Sequence, residues 1–334
     1  MELLYGAIDI HKHVFQAAVF DAGSGEVVEE RFPATRQRLD DWAVEWQGKL
    51  AAVAIEATSG WRWVVRELQQ HGFVVQLADP GQAVALKGKR RRAKTDRLDA
   101  RWLAMLLAKQ MLPTAWIPPE EIQRLRDLTR LRLALSQDRT RWAQRLHAFL
   151  GHEGWPCNRS RLLTAKGRLW VASLTLDPHA KAQIERLLRL IAALEQEIAE
   201  LDSELRRLAR TDPRLRALQT IWGVGPILAC HLLAEIGDAR RFRRARQLVR
   251  AAGLDPVVIE SADNKRRGRL SKTGSPQLRW ALVEAAQHAC RTGSPDLDLY
   301  RSVRERTGAQ RATLAAARKI ARRCFHTLTA AEAA

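Results

Sequence analysis

The segment LLYGAIDI, residues 3–10, decides the fold of the N-terminal region, because it is typical of a buried strand and carries a carboxylate, Asp9, near its end. A second apolar run, AAVAIEA at 51–57, carries Glu56 in a similar position. Carboxylates at the ends of apolar strands are costly unless a cation compensates them. The two strands therefore indicate a functional site as well as a sheet.

The pattern around these strands predicts a mixed sheet covered by helices. Strands are predicted at 3–10, 14–20, 26–32, 51–56 and 73–78, and helices at about 36–48 and 60–71. Three strands followed by alternating helix and strand are the order of the RNase H-like fold. We therefore expect an α/β domain over residues 1–115.

A third acidic segment, KTDRLDAR at 94–101, adds Asp96 and Asp99 at a predicted helix start, where a spacing of three puts them on one face. On an RNase H-like sheet, the first strand, the fourth strand and this helix converge at one edge. Four carboxylates there would repel each other unless a cation is bound, and oxygen-only ligands select a hard ion such as Mg²⁺. Two such ions can clamp a phosphodiester. Helix capping or pairing with nearby Arg and Lys remains an alternative for any one of the four.

The charge balance indicates a polyanionic partner. Among 334 residues, 56 are Lys or Arg and 37 are Asp or Glu, which gives a formal net charge of +19. Nucleic acid is the usual partner of so basic a chain. The basic run LKGKRRRAK precedes the acidic helix, and five of its residues are predicted to contact nucleic acid: Lys89, Arg90, Arg91, Arg92 and Lys94.

Other features of the sequence exclude several classes of protein. We find no run of 18 apolar residues and no signal peptide, so no membrane partner is expected. The four cysteines are far apart and lack a CxxC pair, which argues against a zinc site or a disulfide framework. We expect a cytoplasmic, nucleoid-associated protein.

Two long helical patterns follow, over 116–212. The first runs from Pro118 to about Gly151 and is predicted to have an apolar face of Leu125, Leu128, Leu131 and Leu135. The second carries a heptad seam from Ile184 to Leu208. That seam could pack within the chain, but its regularity favours a coiled coil that joins two copies into a homodimer.

The third predicted region, 213–334, is mainly helical. Gly223-Val-Gly225-Pro226 interrupts two helical patterns and resembles a helix-hairpin-helix turn, whose backbone N–H groups can approach a phosphate. An ordinary helix–helix turn is an equally open interpretation. Residues 254–278 are polar, basic and poor in periodicity, and a final helical region begins near 276.

Taken together, these motifs resemble a known family. The segments that begin with DIHKHVFQAAVFD at Asp9, contain IEATSGWRWVVREL around Glu56 and contain KTDRLDARWLA resemble the DEDD motif of IS110-type insertion-sequence transposases. Downstream, IWGVGPILACHLLAEIGDARRF, QLVRAAGLDP and RLSKTGSPQLRWAL resemble the C-terminal transposase domain of that family. The resemblance covers nearly the whole chain in the expected order.

The resemblance implies a RuvC-like N-terminal domain in which Asp9, Glu56, Asp96 and Asp99 are catalytic and bind Mg²⁺. It further implies a nucleophilic serine at Ser261, with Ser271 and Ser275 as less favoured alternatives that bottom-up reasoning leaves open. Nearby basic residues can hold a phosphate, although a solvated basic loop is the alternative for each. These residues are Arg266, Arg267, Arg269 and Lys272.

The implied activity is that of a transposase or recombinase guided by a bridge RNA. Ser261 would attack the scissile phosphorus to form a 5′-phosphoserine with donor or target DNA, and a tetrameric synapse would hold the partners. No His lies close in sequence to Ser261, so activation by the metal site is favoured. Two other interpretations are a RuvC-like nuclease or Holliday-junction resolvase that uses water, and a non-catalytic nucleic-acid-binding protein.

Overall fold

The chain was analysed as a computed structural model that describes residues 3–86, 96–261 and 264–332. It forms two compact units, Met1–Ile117 and Pro118–Ala334. Within the described residues, no helix has both the length and the apolar character needed to cross a membrane.

The N-terminal unit is built on a six-stranded mixed sheet in the order β3-β2-β1-β4-β5-β6. Its strands are β1 Leu4–Ile10, β2 Val14–Asp21, β3 Val27–Pro33, β4 Leu50–Glu56, β5 Val75–Ala78 and β6 Thr114–Ala115; its helices are α1 Arg36–Trp46, α2 Trp61–Gln70, α3 Pro80–Leu86 and α4 Asp96–Ala108. Strands β1, β4 and β5 are parallel, whereas β2 runs antiparallel to both of its neighbours. The predicted order of strands and helices is confirmed, and this mixed sheet is consistent with an RNase H-like domain.

The two faces of the sheet differ in side-chain size. Large apolar side chains, including Ile8, Phe15 and Ile55, pack with α1 and α2 on one face. On the other face, small residues such as Ala7 and Ala54 pack with α3 and α4. Because successive strand residues point to opposite faces, the alternation fixes the face on which every other strand residue lies.

The C-terminal unit is mainly helical. Its helices are α5 Glu120–His152, α6 Arg159–Leu162, α7 Ala165–Ser173, α8 Pro178–Thr211, α9 Pro213–Leu218, α10 Pro226–Ile236, α11 Ala245–Ala251, α12 Pro276–Ala286, α13 Leu297–Thr307 and α14 Ala309–Ala331, with short 3-10 turns at Ala239–Arg241 and Gln287–Cys290. Helix α8 begins where Asp177 accepts hydrogen bonds from the first-turn N–H groups of His179 and Ala180.

The two long helices, α5 and α8, pack along each other within the chain. Ion pairs join them at Arg132–Asp202 and Arg139–Glu195, with N–O distances of 2.8 and 2.7 Å. Near the tip, Ile184 and Ile191 of the predicted seam are buried with residues of α5, α6 and α7. The seam therefore has a partner in its own chain, and a second copy on it remains a prediction.

The predicted apolar face of α5 is partly wrong. Leu125 is buried, but Leu131 is exposed, and Thr129 lies in the interior instead. Residues spaced by three drift around a helix of 3.6 residues per turn, so a strict three-residue spacing leaves the buried stripe within two turns. The Thr129 hydroxyl is satisfied inside the helix, because it donates to the Leu125 carbonyl at 2.8 Å.

The polar stretch after α11 contains an unpredicted antiparallel hairpin. Strand β7, Pro256–Ser261, pairs with β8, Asn264–Leu270. Sequence periodicity missed it because the second strand, NKRRGRL, is almost entirely polar and lacks the alternation of a half-buried strand.

Candidate active site

Asp9 and Glu56 lie side by side at the carboxyl ends of neighbouring parallel strands. Ile8 pairs with Ile55, so the next residue on each strand is one of the two carboxylates. Adjacent strands are about 4.8 Å apart, which places the two side chains within reach of one ion. Asp9 is only 4% exposed and Glu56 is half-buried. A buried carboxylate is costly in isolation, so this edge of the sheet is built to hold charge.

Both carboxylates lie on the face of the sheet that packs against α4. Asp9 follows Ala7 by two residues and Glu56 follows Ala54 by two, and both alanines pack in the α4 cluster. The small alanine side chains allow the helix to lie close to the sheet. Asp99 precedes buried Leu103 by one helical turn, and Asp96 is the first residue of α4. The Asp96 side chain lies outside the described residues.

His11 is a further residue at this site that sequence reasoning missed. Its Nε2 atom lies 3.2 Å from Asp9 Oδ2, and its side chain is partly exposed. The signal was available in the motif DIHKH, since residues two apart on an extended segment point the same way. A hydrogen bond of this kind orients the Asp9 carboxylate.

The donor set suits a divalent cation, because carboxylate oxygens are the ligands that hard ions prefer. Among the described side chains, the only three ligand atoms within 4.8 Å of one another belong to Asp40, Glu67 and His71, on α1 and α2 and on the opposite face of the sheet. There His71 Nε2 lies 2.8 Å from Asp40, and Arg36 pairs with Glu67 at 3.1 Å. That second group is accounted for as ion pairs between α1 and α2.

Ser261 lies at the far end of the β7–β8 hairpin. It is the last residue of β7 and pairs with Asn264, the first residue of β8. Residues 262 and 263 lie outside the described residues, as do the side chains of Ser261, Arg266 and Arg267.

The open end of this hairpin is closed by a clasp between Asp255 and Ser271. The Ser271 backbone N–H donates to the Asp255 carbonyl at 2.9 Å, and the Ser271 hydroxyl donates to the Asp255 carboxylate. Next to it, Gly274 lies so close to the Ala251 carbonyl that a Cβ would be 1.8 Å from that oxygen. The segment after β8 therefore docks tightly on the loop before β7.

A buried ion pair supports the same segment from below. The Ser275 hydroxyl donates to the Glu235 carboxylate at 2.8 Å and accepts from the Leu278 N–H, which caps α12. Glu235 is buried at the end of α10 and also accepts two hydrogen bonds from Arg130, at 3.0 and 3.2 Å. The hydroxyls of Ser271 and Ser275 are thus both used in holding the fold together.

The glycines of the predicted helix-hairpin-helix turn have different roles. Gly223 has φ +84°, and a Cβ there would lie 2.4 Å from the Ala285 carbonyl, so it is required for packing against α12. Gly225 is exposed, and a Cβ there would meet nothing within 4 Å. Beside them Trp222 is 40% exposed, with its Nε1–H bonded to the His288 carbonyl at 3.1 Å. Gly223 is accounted for by packing, whereas Gly225 remains open as a phosphate contact.

The predicted basic residues are only partly visible. The run Lys89, Arg90, Arg91, Arg92 and Lys94 lies outside the described residues. Arg269 is exposed at the end of β8, and Lys272 adopts φ +52°, a conformation that side chains other than glycine rarely take. Sequence reasoning missed a denser group, Arg243, Arg244, Arg246 and Arg250, although six arginines and no acidic residue lie between Asp238 and Asp255.

Comparison with known proteins agrees with this arrangement. A DEDD transposase model of the IS110 type matches residues 7–152, and a model described as the transposase IS116/IS110/IS902 family matches residues 215–301. The first match contains Asp9, Glu56, Asp96 and Asp99, and the second contains the β7–β8 hairpin. Both units thus match transposase domains.

Individual relatives lead to the same class. A probable family 20 transposase of Pseudomonas aeruginosa is 29% identical over 297 residues, which cover 87% of this chain and 85% of the relative. The transposase for insertion sequence element IS1111A of Coxiella burnetii is 27% identical over 319 residues, 93% of this chain and 86% of the relative. The putative transposase y4rJ of Sinorhizobium fredii is 30% identical over 252 residues, 67% of this chain and 62% of the relative.

The chain therefore contains the DEDD transposase domains of the IS110/IS116/IS902 family. The matches support insertion-sequence transposition as its function, with DNA as the substrate, and a DEDD domain implies a divalent metal.

Proposed function

We propose that this protein is a bridge-RNA-guided recombinase that cuts and rejoins DNA through a 5′-phosphoserine at Ser261. In this proposal Asp9, Glu56, Asp96 and Asp99 form a Mg²⁺ site of a RuvC-like domain. The adjacent placement of Asp9 and Glu56, on the face against which α4 packs, carries the proposal. A sheet edge with two neighbouring carboxylates suits phosphate chemistry better than a structural role, because structural carboxylates need no such pairing.

The four carboxylates would hold the ion and, through it, fix the orientation of the scissile phosphate. The metal, when bound, would neutralise charge on the phosphate and on the leaving oxygen. His11 would keep the Asp9 carboxylate oriented from its other side, at 3.2 Å. Outer-sphere hydrogen bonds of this kind commonly tune a metal ligand.

At the hairpin, the Ser261 Oγ–P bond would form as the P–O3′ bond breaks. The serine proton leaves to a base, and the 3′ oxygen gains a proton as it departs. Because the phosphodiester energy is retained in the Oγ–P bond, a 3′ hydroxyl of another strand can attack in the reverse sense and release Ser261. No external energy source is required for rejoining.

The environment of the other two serines supports the choice of Ser261. Ser275 is bonded to a buried carboxylate and caps a helix, and Ser271 is bonded to Asp255. A nucleophile must present a free lone pair to phosphorus, and both hydroxyls are engaged elsewhere. Ser261, at the end of a strand pair, has no comparable structural function assigned to it.

Guidance by RNA and assembly into dimers and tetramers complete the proposal. Base pairing would select the DNA sequence, while the protein contacts the backbones. Half-exposed Leu194, Ile198 and Leu201 of α8, which α5 alone does not cover, support a second copy along the seam. Light scattering should give a dimer mass that a Leu194→Glu change reduces to that of a monomer.

The central test is capture of the covalent intermediate. The protein is incubated with the RNA encoded beside its element, labelled donor and target DNA and Mg²⁺, then denatured and resolved by electrophoresis. We expect a protein–DNA adduct that requires Mg²⁺ and RNA and is absent in Ser261→Ala and Asp9→Asn.

Matched variants separate these effects from damage to the fold. Asp40→Asn removes a carboxylate of the same domain on the opposite face of the sheet, so its adduct should be retained. Ser271→Ala removes a hydroxyl from the same segment and should lower the yield without abolishing it. An adduct in Ser261→Ala would assign the bond to another residue, and strand cleavage by Ser261→Ala without an adduct would establish the water-dependent nuclease instead.

A further inference from the structure

The segment between α10 and the hairpin carries an unusual density of positive charge. Residues 239–254, ARRFRRARQLVRAAGL, include six arginines and no acidic residue. Like charges this close repel each other, and the repulsion is relieved only by a counter-charge or by water. The pairing of each arginine therefore decides what the segment can bind.

Two of the six arginines are engaged within the fold. Arg240 pairs with Asp238 at 3.0 Å and with Glu332 at 3.5 Å. Arg241 donates to the Ile236 carbonyl at 3.0 Å and lies over the ring of Phe242. These two residues attach the segment to the end of α10 and to the C-terminal helix.

The other four arginines form what we call the arginine surface: Arg243, Arg244, Arg246 and Arg250. All four are exposed, and within the described part of the chain none of them forms an ion pair. Elsewhere in this unit the acidic residues are used on arginines, as in Arg130–Glu235, Arg132–Asp202 and Arg139–Glu195. The arginine surface is thus positive without compensation.

The backbone that carries the arginine surface is held in place. The Gln247 side-chain oxygen accepts from the N–H groups of Arg243 and Arg244, at 2.6 and 3.2 Å. In α11, Leu248 and Val249 are buried, and Arg246 and Arg250 are one turn apart on the exposed side. Fixed cations cost less entropy on binding than mobile ones do.

The arginine surface continues directly into the base of the Ser261 hairpin. The Ala251 carbonyl accepts from the Ser275 N–H at 2.9 Å, and the Gly253 carbonyl accepts from the Lys272 N–H at 3.2 Å. The Arg279 guanidinium donates to the Ala252 carbonyl at 3.0 Å. A strand held by the arginines would therefore be held at a fixed place relative to the hairpin.

We propose that Arg243, Arg244, Arg246 and Arg250 bind the phosphodiester backbone of the DNA on which Ser261 acts. DNA as the partner rests on the proposed function; the phosphate chemistry rests on the four guanidinium groups themselves. Guanidinium forks match phosphate oxygens in geometry and bind them with paired hydrogen bonds. Contacts of this kind position DNA without reading its sequence.

The test is the salt dependence of DNA binding by the full chain in EDTA, where no strand is cut. A variant with all four arginines changed to Gln is compared with wild type on one duplex over a range of KCl concentrations. Each lost phosphate contact lowers the slope of log K against log salt by about 0.9. We expect a decrease of about 3 in the slope and a loss of at least about tenfold in affinity at 0.1 M salt.

The matched control removes the same charge elsewhere in the unit. Arg186, Arg189, Arg301 and Arg304 are also exposed, and among described residues they form no ion pair. Changing these four to Gln should alter the slope by less than about 1, because they are scattered over two helices. A four-residue Arg→Lys variant of the arginine surface keeps the charge and should retain most of the slope.

Three results would overturn the proposal. One is an equal loss in the control variant, since net charge would then explain binding. Another is unchanged DNA binding in a Gln variant whose α11 exchanges hydrogen as slowly as wild type. The third is a loss for the guide RNA alone. A missing adduct with a retained slope effect would instead reject the serine chemistry and leave the DNA surface in place.

Discussion

Replacing Glu235 by Ala should destabilise the C-terminal unit and loosen the support of the Ser261 hairpin. Glu235 is 5% exposed and accepts hydrogen bonds from Arg130 on α5 and from the hydroxyl of Ser275. The change removes the acceptor that α5, α10 and the start of α12 share. It leaves a guanidinium and a hydroxyl facing a small cavity.

The size of the effect can be worked from these contacts. Removing one partner of a buried ion pair costs about 3–5 kcal/mol. The Arg130 side chain is 39% exposed, so its guanidinium recovers water and part of that cost is avoided. We therefore expect a loss of about 2–3 kcal/mol for Glu235→Ala. Glu235→Gln keeps the volume and one acceptor and should lose about 1 kcal/mol.

The assay is urea denaturation of the full chain, with hydrogen exchange of peptides from α10 and α12 showing which unit opens. A double-mutant cycle with Ser275→Ala should give a coupling of about 1 kcal/mol, because the two side chains share one hydrogen bond. If Glu235→Ala unfolds within about 0.5 kcal/mol of wild type, the carboxylate is not holding these elements and the account of the hairpin support is wrong.

Three further outcomes follow from individual contacts. His231 is buried, which lowers its pKa to about 4 from 6.5; the unfolded chain binds a proton that the fold refuses, so stability should fall as pH drops from 6.5 to 4, and less steeply in His231→Gln when urea midpoints are compared. Burial opposes ionisation of Asp296, but hydrogen bonds from Arg323 and its neighbour outweigh that and lower its pKa below 3.8, so its stabilisation is complete above pH 3.8, is lost below it, and should be absent in Asp296→Asn titrations. Gly223→Ala should cost about 2 kcal/mol or more by urea unfolding, because of its positive φ and the nearby carbonyl of α12, whereas Gly225→Ala should cost less than about 1 kcal/mol; equal losses would contradict the packing role.

Much of the N-terminal unit could be predicted because its strands are apolar and its alternation is regular. LLYGAIDI and AAVAIEA predict two buried strands, and their terminal carboxylates predict which edge of the sheet carries chemistry. The closeness of α4 to that edge could have been inferred from Ala7 and Ala54, since only small side chains allow a helix so near. That step needs the register of two strands 40 residues apart, which the sequence pattern alone does not provide.

The C-terminal unit was harder to predict, for a physical reason. The β7–β8 hairpin is stabilised by contacts at its ends, such as the Asp255–Ser271 clasp, rather than by a buried face of its own strands. Hydrophobic periodicity reports burial, so it is silent on a polar hairpin that the surrounding helices hold in place. The partner of the α8 seam was left open for a related reason: a heptad predicts a packed face and does not name the helix that covers it.

The placement of acidic residues unites both units. In a chain of net charge +19, a carboxylate can either neutralise an arginine or remain available for another cation. Helices α5, α8 and α10 use theirs on arginines, which stiffens the unit that carries Ser261 and leaves the arginine surface uncompensated. On the N-terminal sheet, the pairing at Asp40 and Glu67 is confined to the α1–α2 face. The opposite face keeps two carboxylates on adjacent strand ends, where an added ion, rather than a fixed arginine, can complete the charge balance. The same excess of arginine over acid therefore supports both proposals: DNA is attracted where acidic residues are missing, and a metal is held where they are concentrated.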